Sequence, residues 1–135
     1  MEFRYKRETV TAAQFADLLH KSGLAQRRPV SDFPRLQRML DNANLIVTAR
    51  LAETGQLVGI ARSITDWSYA TYLSDLAVDA AFKGRGIGRR LIEETRTLVG
   101  EEAMLLLISA PDAVGFYQKI GMPVSDRAFL YPQTR

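Results

Sequence analysis

Lys83-Gly84-Arg85-Gly86-Ile87-Gly88-Arg89-Arg90 sets three glycines at alternate positions among four cations, with no acid between them. This spacing suits the binding of an anion. Glycine has no side chain to hold a ligand away from the backbone, so successive N–H groups can converge on a phosphate where a helix begins. The 135-residue chain carries a formal charge of +3, and without these four cations it would carry −1. Its basicity is therefore local, which points to a compact polyanion more than to a nucleic-acid surface.

Counting excludes two other glycine loops. A P-loop needs Gly-x-x-x-x-Gly-Lys-Ser/Thr, whereas Gly88 is followed by Arg89 and Arg90, leaving no hydroxyl for Mg²⁺. A dinucleotide fingerprint needs Gly-x-Gly-x-x-Gly, but its last position falls on Arg89 counted from Gly84 and on Leu91 counted from Gly86. Other reactive groups are few. The chain has no cysteine and one histidine, His20, which removes disulfides, thiolate sites and a histidine-built metal centre; no metal is expected. The candidate base is Asp75, with Asp66 or a water held by Ser74 behind it, and Tyr117 is singled out by its place on an apolar helix face, where its hydroxyl needs a partner. Asp75 reads alternatively as a solvated or structurally hydrogen-bonded aspartate. Tyr117 reads alternatively as a core tyrosine whose hydroxyl bonds backbone.

At this length the chain fits one domain, residues 1–135, able to bury about two-thirds of its unfolded surface. Phe3 and Tyr5 alternate with charges in a first strand, and Thr9 or Thr11 opens a helix carrying Phe15, Leu18 and Leu19 to Ser22-Gly23. His20 falls at its end, as a surface group beside the C-terminal dipole. After a turn at Gln26–Val30, Ser31 or Asp32 caps a second helix with Leu36, Met39 and Leu40. Leu45–Leu51 and Leu57–Ile64, joined through Glu53-Thr54-Gly55-Gln56, form an antiparallel hairpin, and Tyr72–Val78 makes a fourth strand. Between them, Trp67 and Tyr69 either pack against a ligand or cap the sheet edge.

The glycine turn opens a helix with Ile87, Leu91, Ile92, Leu98 and Val99 on one side, Arg89/Glu93 and Arg90/Glu94 outside, and Gly100 at its close. Ala103–Ile108 is apolar throughout, as expected of a parallel, fully covered strand completing a right-handed crossover. Ser109-Ala110-Pro111-Asp112 has the form of a helix opening, with Ala113, Phe116, Tyr117 and Ile120 on one face and Gly121 at the end. Ala128–Tyr131 is expected to be a last short strand. The N-terminus lacks a signal-type apolar stretch and the longest aliphatic run is Leu105–Ile108, so a soluble, cytoplasmic protein without membrane contact is expected.

Lys83 to Gly88 closely resembles the Gln/Arg-x-x-Gly-x-Gly/Ala signature of the GNAT superfamily of acyl-coenzyme A dependent N-acetyltransferases. Ala113, Phe116-Tyr117, Lys119 and Gly121-Met122 resemble its second signature, so the likeness covers residues 70 to 122 by motif, and the flanking element order fits the rest. Departures are Lys83 in place of Gln or Arg, Ala110 where many members have asparagine, and Met122 in place of an aromatic. The resemblance implies an α/β (α+β) fold: a mixed, mostly antiparallel sheet of about six strands, splayed between strands four and five and flanked by four helices. It implies acetyl-coenzyme A as co-substrate, with pantetheine along Leu76, Ala77 and Val78 and pyrophosphate on Lys83, Gly84, Arg85, Gly86, Ile87, Gly88 and Arg89, and Phe116 among the contacts. Tyr117 is then the proton donor to the thiolate and Asp75 the first candidate base. The acceptor is a small-molecule or peptide amine, with no nucleic-acid partner, and the protein a monomer or homodimer. Arg27 and Arg28 fall on one wall of the acceptor region, to meet a carboxylated substrate or only solvent. The other reading is a non-catalytic acyl-coenzyme A binding or sensing domain.

Overall fold

β-Branched and aliphatic residues dominate Leu45–Leu51 (β2) and Leu57–Thr65 (β3), which lie at the centre of the sheet with both faces covered for most of their length. Phe3–Arg7 (β1) flanks β2, and Ala70–Val78 (β4) flanks β3. Met104–Leu106 (β5) joins β4 in parallel, so the five strands lie in sequence order and all other pairings are antiparallel. The computed structural model describes residues 1–135.

Helices cover the two faces. Thr11 and Gln14 form a reciprocal capping box that starts α1 (Ala12–Ser22), which stops at Gly23 in the left-handed region. Asp32 caps α2 (Phe33–Asp41) by accepting from the Arg35 N–H at 3.1 Å. Together they bury Phe15, Leu18, Leu19, Leu36 and Leu40 against Ile46, Ile60 and Ala77. On the opposite face α3 (Ile87–Val99) sets Ile87, Leu91, Ile92 and Val99 against Leu45, Val47, Val58 and Leu73. Burying each such side chain fully contributes about 1.5–3 kcal/mol. Gly59 lets α3 approach this closely, because a β-carbon there would lie 3.0 Å from both Ile87 Cγ2 and Leu91 Cδ1.

β4 and β5 pair at only three positions, Ala70–Met104, Thr71–Leu105 and Tyr72–Leu106, while β4 continues along β3 to Val78. Beyond Tyr72 the two strands part. A register shift between Arg62 and Ser63, opposite Asp75 and Leu73, adds local twist just where they separate.

The C-terminal third departs from expectation. The sheet has five strands where about six were expected, because Ala128–Tyr131 forms none; Phe129 is 98% and Tyr131 102% exposed. β5 is parallel as expected but short and covered on one face only, with Leu105 half-buried against the core and Met104 and Leu106 exposed. Ser109 does not cap a helix: its Oγ donates to the Ala110 carbonyl at 2.7 Å instead of accepting an N–H. Ala110 is extended ahead of proline, so the chain makes a 3₁₀ turn at Pro111–Ala113 before α4 (Val114–Lys119) begins. No helix is long and apolar enough to cross a membrane.

Candidate active site

The parting of β4 from β5 opens a cleft of about 800 Å³. Leu76 and Val78 of β4 line one wall, the glycine turn and the start of α3 the next, and Phe116, Tyr117 and Ile120 of α4 the third. Gly23, Leu24 and Arg27, just after α1, close the fourth side. Ala77 points the other way, into the core under α1, and does not line the cleft.

The glycine turn is built by backbone conformation. Gly84 and Gly86 have φ of 80° and 76°, and a β-carbon at either would meet nothing within 4 Å, so glycine is required there by the left-handed backbone and not by space. Gly86 caps α3 with no side-chain hydrogen bond, and the first return bond runs from the Arg90 N–H to the Gly86 carbonyl at 3.0 Å. The N–H groups of Ile87, Gly88 and Arg89 lie ahead of that bond, without intrahelical acceptors, at the positive end of the helix. Gly88 serves a different purpose: a β-carbon there would lie 2.9 Å from Phe116 Cζ, so its absence lets α4 seat an aromatic ring against α3. Phe116 in turn meets Tyr117 edge-on, ring centroids 5.1 Å apart.

Only part of the basic cluster reaches the cleft. Lys83 and Arg89 line it, Arg89 also contacting Glu93 at 3.3 Å, whereas Arg85 is exposed away from its wall. Arg90 turns outward, to Glu94 at 2.7 Å and over the Tyr5 ring at 4.8 Å. Arg27 and Lys119, from elsewhere in the chain, bring the cleft to four cations.

Asp75 lies in a buried double ion pair and does not line the cleft. Its side chain is 0% exposed and both carboxylate oxygens are engaged, one by Arg28 Nε and the other by Arg62 Nε. Arg28 also donates to the carbonyls of Ser74 and Arg27, each at 2.8 Å, and Arg62 to the Met39 carbonyl and Ser74 Oγ, each at 3.0 Å. Shut off from solvent between two guanidiniums, this carboxylate ties the segment between α1 and α2 to β4. Arg28 is spent in the same knot, so it offers nothing to a substrate carboxylate. Asp66 accepts from the backbone N–H groups of Ser68, Tyr69 and Ala70 at 2.9, 2.7 and 3.0 Å. Those bonds, from Ala70 first, lower its pKa to about 2, too weak a base for this purpose.

Tyr117 is half-buried on the cleft wall, and its hydroxyl has no hydrogen-bond partner in the protein. Burial pushes its pKa up, against the pull of the Arg28 charge. Trp67 lies under Arg7, 5.0 Å from the guanidinium carbon, and neither Trp67 nor Tyr69 lines the cleft. His20 is on the exposed last turn of α1. Sequence reasoning missed Arg62, whose signal was a lone charge inside an apolar strand, and Lys119, which stands two residues past Tyr117.

The description of the family model that matches residues 25–129 is acetyltransferase (GNAT) domain. A histone acetyltransferase of Glycine max is 27% identical over 121 residues, covering 78% of this chain and 51% of its own length. The chain thus spans about half the length of the curated relatives it first matches. Among solved structures, a GNAT family acetyltransferase from Streptococcus pneumoniae is 20% identical with a TM-score of 0.75, covering 99% of this chain and 100% of that one. An aminoglycoside acetyltransferase from an uncultured soil sample, in complex with sisomicin, is 21% identical with a TM-score of 0.71, covering 98% and 96%. At those identities the likeness is one of fold.

Proposed function

We propose, for a chain that belongs to the GNAT acetyltransferase family, the transfer of an acetyl group from acetyl-coenzyme A to an amine in the cleft between β4 and α4. The observation that carries this reading is the uncapped start of α3. Three N–H groups without acceptors, two left-handed glycines and the cations Lys83 and Arg89 converge on one side of the cleft, and that donor set suits a pyrophosphate. The outer edge of β4 from Leu73 to Val78, free of β5, supplies backbone groups of the kind an amide-bearing pantetheine arm pairs with. When bound, acetyl-coenzyme A supplies the activated acyl group.

Within this reading Tyr117, on the cleft wall, holds at Oη the proton that the leaving thiolate would take. A thiol pKa near 8.5 against about 10 for tyrosine sets the transfer uphill by about 2 kcal/mol, and burial, which keeps the hydroxyl protonated, adds to that cost. Asp112 is the only carboxylate on the cleft wall, and it sits at the exposed mouth. An amine with a lysine-like pKa near 10.4 costs about 4.6 kcal/mol to deprotonate at pH 7, whereas an α-amino group near 7.8 costs about 1 kcal/mol. The scarcity of bases therefore favours an acceptor of the α-amino kind, whose amine loses its proton to water at small cost. The same scarcity is what favours the second reading, an acyl-coenzyme A sensor without turnover. Thiol release from acetyl-coenzyme A with a panel of α-amino and side-chain amines separates the two: turnover supports the transferase, while saturable binding with no release by any amine supports the sensor.

A further inference from the structure

The wall of the cleft that follows α1 has a single polar attachment to the sheet. Residues from Ser22 to Arg27 line it, most of them in the 3₁₀ turn Leu24–Arg27, and the backbone bonds of residues 23–32 are all local. Leu24, Ala25 and Val30 rest against the core under α1 and stay only partly buried. Of the side chains in this segment only Arg28 hydrogen-bonds to a strand, through Nε to Asp75 and through Nη2 to the Ser74 carbonyl at 2.8 Å. β4 is bulged at that point. Arg62 faces Asp75 and Ser63 faces Leu73, which leaves Ser74 with no partner on β3. Arg28 meets the Ser74 carbonyl, and Arg62 Nη2 donates to Ser74 Oγ at 3.0 Å.

Each guanidinium reaches one more carbonyl. Arg28 Nη1 donates to that of Arg27 at 2.8 Å, and Arg62 Nη1 to that of Met39 at 3.0 Å. Asp75 joins the two through one oxygen each, so a pair of planar forks fixes β3, β4, α2 and the Arg27 peptide relative to one another. Stability does not explain this choice of residues. Three charges leave water with only one acid among them, and well-packed apolar side chains at such positions hold a fold as firmly or more so. What planar forks add is direction. We propose that Arg28 is a positioning residue: fixed to the β4 bulge by Asp75 and Arg62, it holds the Ser22–Arg27 wall, and the Arg27 side chain on it, in place around bound coenzyme A. The proposal rests on the reading that this cleft takes coenzyme A. The pull of the Arg28 charge on the Tyr117 hydroxyl agrees with a guanidinium close behind that wall.

Arg28→Met and Arg28→Lys separate the hold from the charge. Both variants are first shown to melt cooperatively, and both are then titrated with coenzyme A by calorimetry and digested with trypsin well below the melt. Arg28→Met should bind coenzyme A about tenfold more weakly. Trypsin should cut it after Arg27 about tenfold faster than it cuts the wild type, with no comparable gain at other sites; Pro29 blocks cleavage after position 28 in every chain. Arg28→Lys returns a charge opposite Asp75 but not the fork, so its affinity should stay near that of Arg28→Met. A triple variant, Arg28→Met with Asp75→Leu and Arg62→Met, should melt at or above the wild type and bind as weakly as Arg28→Met alone. Wild-type affinity in Arg28→Met, an unchanged rate of cleavage after Arg27, or full recovery of affinity in Arg28→Lys or in the triple variant would each overturn the proposal. If the wild type itself binds no coenzyme A, the catalytic reading fails, and the rate of cleavage after Arg27 still decides whether Arg28 holds the wall.

Discussion

Tyr117 and Asp75 separate what a side chain's chemistry permits from what its surroundings allow. Tyr117→Phe removes one hydroxyl with no protein partner and keeps the ring against Phe116. Stability should change by no more than about 1 kcal/mol, while kcat falls by about 10²-fold with little change in acetyl-coenzyme A affinity. Burial raises this group's pKa above 10.0, so its proton is held throughout neutral and mildly basic pH, and the basic limb of the rate profile should move or vanish in the variant. Full turnover across that range would return Tyr117 to the core. Asp75→Asn should behave in the opposite way, leaving the buried Arg62 and the half-buried Arg28 without a counter-charge at a cost of about 3–5 kcal/mol, read as a lower denaturant midpoint. A stable variant with lost turnover would instead restore Asp75 as a base. Asp66 gives a test by pH. Its folded pKa is lowered from 3.8 to about 2, so the stability it contributes is present above 3.8 and is lost as pH falls toward 2. Asp66→Asn should flatten that part of the melting profile, and Trp67, held by this turn at φ 64°, should report the loosening by fluorescence.

At the scale of elements, the turn before α3 joins a fixed shape to a screened charge. Arg89 lines the cleft and Arg85 does not, so Arg89→Gln should weaken coenzyme A binding more than Arg85→Gln does. Both losses should shrink at high salt. Equal effects of the two, measured by calorimetry at low salt, would contradict the geometry. The same local character explains what could be read in the chain. The Thr11 cap and the Gly23 stop of α1, the Asp32 cap of α2, and the span of α3 from Ile87 to Val99 are all written in a few adjacent residues, as is the β2–β3 hairpin. The rest depends on contacts distant along the chain. Asp75 meets Arg62 and Arg28, 13 and 47 positions away, and no local pattern announces that knot. The Ser109 motif was legible as a cap, yet its hydroxyl bonds a neighbouring carbonyl instead. Ala128–Tyr131 has strand composition, but composition does not say which edge a strand joins.

For the whole molecule, two helical layers hold β4 rigidly from both faces while its far edge is left open. Ala77 is packed under α1, and Leu76 and Val78 rest against the α3 side, so the wall of the cleft is a continuation of both cores. A site so supported needs little reorganisation to receive a ligand, and binding energy is then available for positioning. Titration calorimetry with coenzyme A on the wild-type chain and on Gly86→Val tests this account most directly, each variant first checked for a cooperative melt because φ at position 86 is 76°. One saturable site is expected in the wild type, weakened by at least about tenfold, or 1.4 kcal/mol, in the folded variant. No binding to the wild type, or equal affinity in a folded Gly86→Val, would contradict it.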